Sequence, residues 1–314
     1  MRTMFGVRVH AKSVAYAATS LGSSLINPVF TFYYVKVYLN RFHVSEPWFQ
    51  LAQVIFMIWN AVNDPLFGCL QDNARSCVML RSRRYSILYG APLFVAAFIL
   101  PWFPWADYGS SAPSWLAGIQ LTVALCFYDA MFTFVLLAQC ALLAELSTTQ
   151  SDRVRMVQYS QAASLIGSVS VLVCETMSSG LEHYTSFQLT CVGLGVAAGL
   201  CFVYTGLNAD TQFDHLAKLP NGIPREKAVT AVDAMWTALS QTRQIFAQPS
   251  FISFVLMNFC QIYHTTFLAN FANIIGDQLL GSGLSQAAKS GLYGTLFVIP
   301  QVCKLFGNIC HNAA

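Results

Sequence analysis

Apolar runs of about 20 residues or more recur eight times along this 314-residue chain, and nothing else constrains its fold as strongly. They cover Val14–Tyr38, Trp48–Leu70, Tyr85–Phe103, Trp115–Leu143, Val157–Met177, Tyr184–Gly206, Phe251–Ile275 and Gln286–Phe306. Inside a bilayer every backbone polar group must find a partner within the protein, so runs of this length read as spanning helices. Charged residues make up only 10% of the chain, against about 25% in soluble domains, and hydrophobic residues make up 55%. The fold class is therefore an all-α polytopic membrane protein, and its first partner is the lipid bilayer. A net charge of +3 is too small for a nucleic-acid surface. The sequence holds no HExxH, no phosphate-binding Walker loop and no Ser-His-acid arrangement on a soluble face, so no enzyme is expected. Of its ten cysteines, seven (Cys69, Cys126, Cys140, Cys191, Cys201, Cys260 and Cys303) fall inside the runs, and none shows CxxC spacing, so neither a metal site nor a disulfide framework is expected. The charged start (Arg2, Arg8, Lys12) leads into an apolar stretch too long for a cleavable signal.

The runs divide the chain. Six of them make an N-terminal bundle over 1–206, a polar linker follows over 207–250, and two more spans fill 251–314. In the linker Val229, Val232, Trp236 and Leu239 recur at helical spacing, which reads as an amphipathic helix on the membrane surface or a connector between bundles. Orientation follows from the basic residues. With the N-terminus cytoplasmic, 13 of the 17 lysines and arginines lie on the inner side, and Trp48, Trp102, Trp105 and Trp115 form an outer aromatic belt. With no retention signal in view, the plasma membrane is the expected host.

The second run carries a polar cluster, Asn60-Ala61-Val62-Asn63-Asp64-Pro65. An ionisable residue at mid-membrane costs about 2.5–3.5 kcal/mol on insertion scales, so it normally faces a bundle interior or an aqueous path. Asn60, Asn63 and Asp64 share a helix face, and Pro65 frees the Ala61 carbonyl. Amide oxygens, a carboxylate and a freed carbonyl on one face suit a small hard cation or a proton. The alternative is that these groups satisfy one another at a helix contact. Asp129 interrupts the fourth run, and Asn258, Gln261 and His264 make a polar stripe on the seventh. Both read as cavity-lining, or alternatively as interhelical hydrogen-bonding groups. His264 is also a candidate proton carrier, histidine being a common one.

Four strings resemble a known family: YAATSLGSSLINPVFTFYYVKVYL, IWNAVNDPLFGCLQD, RSRRYSILYGAPL and ALLAELSTTQSDRVRMVQYSQ. They resemble the glycoside-pentoside-hexuronide:cation symporter branch of the major facilitator superfamily, and within it the animal transmembrane protein 180 family. The resemblance implies a major-facilitator-like fold of two six-helix halves, roughly twelve spans, with a solute site at the midplane between them. It also implies alternating-access transport of a small organic solute, with H+ or Na+ as coupling ion and no other cofactor. Asn63 and Asp64 match the family's cation residues, while Asn60 stands where the family has an aspartate. Ser24 and Ser160 stand where it has a sugar-binding aspartate and arginine. A site left with one carboxylate leans toward protons. Gly68, Asp72, Arg83 and Arg84 match the loop that latches the family's inner gate, although the arginine usual after the aspartate is Asn73 here; a solvated positive-inside loop is the other reading. Eight spans leave an incomplete C-terminal bundle of about two helices, so the chain is expected to be C-terminally truncated, or else to complete itself by oligomerisation. The rival to a carrier is a non-transporting scaffold, receptor or surface antigen on the same fold.

Overall fold

The computed structural model describes residues 2–4, 7–9, 11–73, 80, 82–108, 113–147, 149–211 and 248–280. The amphipathic linker helix and the eighth span lie outside the described residues. A short antiparallel hairpin, β1 (Arg2–Met4) with β2 (Val7–Val9), precedes the helices.

The first helix, α1 (Ala11–Lys36), ends in a π-helical segment over Val37–Arg41. Its interior Pro28 removes one backbone donor, and the Thr31 hydroxyl donates to the carbonyls of Asn27 and Pro28 at 3.0 and 3.2 Å. Next come α2 (Glu46–Asn73), α3 (Arg83–Ile99) with a 3-10 turn over Leu100–Trp102, and α4 (Ser114–Leu146). The fifth run, read from sequence as one helix, is two: α5 (Gln150–Ser168) and α6 (Ser170–Ser178). The break falls after a Gly167–Ser168 pair, where the Ser168 hydroxyl takes the Leu165 carbonyl at 2.8 Å and competes with the helical ladder. A turn with positive φ at Ser179, Gly180 and Leu181 leads into α7 (Tyr184–Asn208), and α8 (Pro249–Leu280) follows the linker. The stretches Arg83–Trp102, Ser114–Leu146, Gln150–Ser178 and Tyr184–Asn208 are long and apolar enough to cross a membrane by length and composition.

Helix α1 is the hub, packing on α4, α5, α6, α7 and α8. Aromatic residues fill the space around it: Phe30, Tyr33, Phe94, Phe98, Phe187 and Phe202 are all buried. Trp102 corrects the aromatic-belt expectation. It is fully buried, because the 3-10 turn ending α3 directs it inward, where the Tyr184 hydroxyl and the Gln188 amide donate to its carbonyl at 2.6 and 2.8 Å. Trp105 and Trp115 remain exposed, as a belt requires.

Candidate functional site

Helices α2 and α4 pack side by side and run in the same direction, so polar residues spaced alike on the two meet in register. The Asn60 amide donates to one oxygen of Asp129 at 3.1 Å, and the Asn63 amide donates to the other at 2.8 Å. One turn on, the Thr133 hydroxyl donates to Asp64 at 3.2 Å. Asp129 was expected to line a cavity or to hydrogen-bond a neighbouring helix, and its bonds to α2 are of the second kind. It joins Asn60, Asn63 and Asp64 in one cluster, which therefore holds two carboxylates and not one. Asn63 is fully buried, and its side-chain oxygen has no hydrogen-bond partner among the described residues. A buried acceptor left unsatisfied costs about 1–3 kcal/mol, so this oxygen stands open to a partner. Asn60 and Asp64 are exposed, so the cluster is open on one side.

A neighbouring strip of the same side of α4 borders a second site. A cavity of about 330 Å³ between α1, α4 and α5 is lined by Ser24, Ser160, Ser20, Asn27, Gln139 and six further residues, none of them an acid or a strong base, with Ser23 completing the hydroxyl row. The structure thus brings Ser24 and Ser160 together on one cavity. Ser20 and Ser160 are hydrogen-bonded to each other, Gln139 donates to Ser20 at 2.5 Å, and the Tyr128 hydroxyl donates to Asn27 at 3.2 Å. Pro28 also lines this cavity, and its missing N–H leaves the Ser24 carbonyl without its helical partner. Phe132, Leu136 and Cys140 follow Asp129 at spacings of three, seven and eleven residues, so the polar cluster and the cavity lie on adjacent strips of one side of α4.

The stripe on the seventh run is placed elsewhere. Asn258 is half-buried and its amide donates to the Phe254 carbonyl of its own helix at 3.0 Å, while Gln261 and His264 are exposed. Helix α8 leans on the core through Phe271 and Ile274, two turns or more beyond these residues. Among the described residues they line neither site. Of the loop residues, Gly68 sits half-buried near the end of α2, where an added Cβ would meet open space. Asp72 lies in the last turn of α2, its side chain outside the described residues. Arg83 donates to the Gln71 carbonyl at 3.1 Å and pairs with Glu145 at 3.6 Å; Arg84 pairs with Asp210. These contacts fasten the ends of α2, α4 and α7 to the start of α3.

Sequence reasoning missed Thr133, Gln139 and a buried pair. The Tyr33 hydroxyl donates to Glu175 at 2.5 Å across α1 and α6, both side chains being almost fully buried. A charged residue inside an apolar run was the available signal, since the bilayer tolerates such a group only with a partner. Tyr33→Phe should lower unfolding stability by about 1–3 kcal/mol, the cost of leaving a buried acceptor short of a donor. Denaturation in detergent measures it, and an unchanged midpoint would mean that the Tyr33 bond contributes nothing.

The sequence profile of the family described as MFS/sugar transport protein matches residues 15–274, so the chain belongs to that family. Among curated proteins it is 29% identical over 318 residues to Transmembrane protein 180 of Mus musculus, covering 94% of this chain and 59% of that protein. To Transmembrane protein 180 of Gallus gallus it is 27% identical over 321 residues, again covering 94% and 59%. The chain thus spans about three fifths of the length of these relatives. It is a transporter-like multi-pass membrane protein.

Proposed function

We propose that this member of the MFS/sugar transport family supplies the cation-binding half of a sodium-coupled carrier, which moves a small uncharged solute by alternating access. The observation that carries the reading is the meeting of Asp64 and Asp129 with Asn60, Asn63 and Thr133, beside the orphaned Asn63 oxygen. Two carboxylates, an amide oxygen and a hydroxyl are the hard oxygen donors that a small cation prefers. Two carboxylates so close also repel each other when both are ionised, which a bound cation relieves. A proton would relieve that repulsion too, but the number of oxygen donors suits a coordinated ion, so sodium is the coupling ion of this reading. The solute would sit in the hydroxyl-rich cavity beside the cluster, on the same side of α4. A charged solute would lose its hydration there without gaining a counter-charge, so an uncharged one with several hydrogen-bonding groups fits best. The family's charged sugar-binding pair is Ser24 and Ser160 in this chain, so the solute is held by hydroxyls and amides alone. This reading adopts a cytoplasmic N-terminus, which the excess of basic residues on that side supports, and the plasma membrane as host.

Sodium binding is testable on the purified chain in lipid nanodiscs. At 100 times its dissociation constant, sodium should raise stability by about 2.7 kcal/mol relative to choline at equal ionic strength. Asp64→Asn should remove most of that gain while leaving stability in choline close to that of the parent. If acidification stabilises the chain and sodium does not, the ion is a proton. If neither does, the scaffold reading replaces the carrier.

A further inference from the structure

The perimeter formed by α3 and α7 carries a groove that neither the ion cluster nor the hydroxyl cavity uses. Its volume is about 750 Å³, and its lining is apolar apart from the Tyr89 hydroxyl and backbone. It runs from Leu88 to Leu100 along α3, twelve residues or about 18 Å at 1.5 Å per residue. Small residues make it deep. Gly195 and Gly199 bring α7 so close to α3 that an added Cβ would lie 2.9 Å from Ile99 and 3.2 Å from Val95. Ala91 and Ala96 thin the facing wall, and Val196 and Val203 form the opposite rim. The surface around the groove is that of a lipid-facing helix pair, with Leu93, Val196 and Leu200 at 45%, 54% and 67% exposure. The groove is thus continuous with the lipid-facing surface, and the molecules that can reach it are lipids.

We propose that this groove is a sterol-binding site. Two features favour a sterol over an acyl chain. The first is polar. Pro92 interrupts α3 and takes away the N–H that would bond the Leu88 carbonyl, so an acceptor is left at the inner end of the groove. Tyr89 lies beside it, 46% exposed, and its hydroxyl makes no hydrogen bond among the described residues. One acceptor and one hydroxyl at one end of an apolar slot match a molecule with a single hydroxyl at one end of an apolar body. A saturated chain offers nothing to the freed carbonyl, which inside a membrane must find a partner. Leu88 is five residues into α3, about 8 Å below its first residue, a depth the hydroxyl end of a sterol can reach from the interface. The second feature is rigidity. A fused ring system loses little conformational freedom when held along a straight groove, whereas each torsion of an acyl chain must be fixed. The β-branched rims suit the ridged face of such rings, and the glycine and alanine floor suits their flat one.

A photoactivatable, alkyne-tagged cholesterol incorporated into nanodiscs with the purified chain tests this. Labelling should be saturable, concentrated in peptides covering 88–100 and 195–203, and displaced by excess cholesterol. The 3-epimer, with its hydroxyl turned away from Leu88 and Tyr89, should displace it at least 5-fold less well. Ala96→Phe, which fills the groove, should cut labelling at least 5-fold, and Val196→Trp should do the same from the other wall. Leu200→Phe lies on the same lipid-facing surface but does not line the groove, and should leave labelling unchanged. Thermal unfolding of each variant shows that it is folded. Labelling spread evenly around the perimeter, unaffected by either groove-filling variant, or displaced equally by phospholipid would overturn the site.

Discussion

Asp129→Asn is expected to weaken sodium binding at least 100-fold, the largest functional effect of any single change in this chain. The reason lies in the hydrogen-bond inventory. Both carboxylate oxygens of Asp129 accept, one from Asn60 at 3.1 Å and one from Asn63 at 2.8 Å. An amide in place of the carboxylate removes the charge and also turns one acceptor into a donor, facing an amide that already donates. Hydrogen bonds to charged groups contribute about 1.5–3 kcal/mol each, and a 100-fold change corresponds to about 2.8 kcal/mol, so the loss of one such bond and the charge suffices. Thr133→Val removes only a neutral hydroxyl 3.2 Å from Asp64 and should cost about 10-fold, or 1.4 kcal/mol. Sodium titration of nanodisc samples, read by thermal stability, separates the two. Equal losses in both variants, or none in either, would mean that Asp129 does not hold the ion. Because the cluster is open on one side, the fold itself should survive both changes.

The helices were legible in the sequence because a span is specified by length and composition alone, and the six N-terminal runs each fall on helices in the structure. Their internal irregularities were less so. The Gly167–Ser168 break interrupts a run whose hydropathy stays uniform, and the inward turn of Trp102 depends on contacts from α7. The ion site was half legible. Asn60, Asn63 and Asp64 share a face by their spacing, but which helix that face meets is a tertiary fact. Asp129 and Thr133 sit four residues apart and could complete the cluster only once α2 and α4 were known to lie parallel and in register. Asn258, Gln261 and His264 are the converse case. Their spacing makes a stripe, yet the stripe lies on a length of α8 that meets neither site among the described residues.

Glycines carry the last prediction, because the sequence pattern treats alike two positions that the structure separates. Gly167 and Gly193 both occur among small residues on spanning helices, where close helix packing is the natural reading. A Cβ on Gly167 would lie 2.6 Å from the Ser24 Cβ, 2.9 Å from the Ser24 carbonyl carbon and 3.1 Å from the Leu21 oxygen. Two of those three atoms are backbone, so no rotamer change relieves the clash and α1 must move away from α5. Overpacking of this kind costs about 1–3 kcal/mol. Ser20 and Ser160, bonded across the same interface, would separate, and the hydroxyl cavity would change shape with them. Gly167→Ala should therefore lower unfolding stability by about 2 kcal/mol. At Gly193 an added Cβ meets nothing within 4 Å. There Ala should be neutral or stabilising by up to about 1 kcal/mol, through helix propensity alone. Denaturation of the two variants in one detergent gives the comparison. If Gly167→Ala is as harmless as Gly193→Ala, the α1–α5 contact is looser than the structure has it, and Ser24 and Ser160 need not share a cavity.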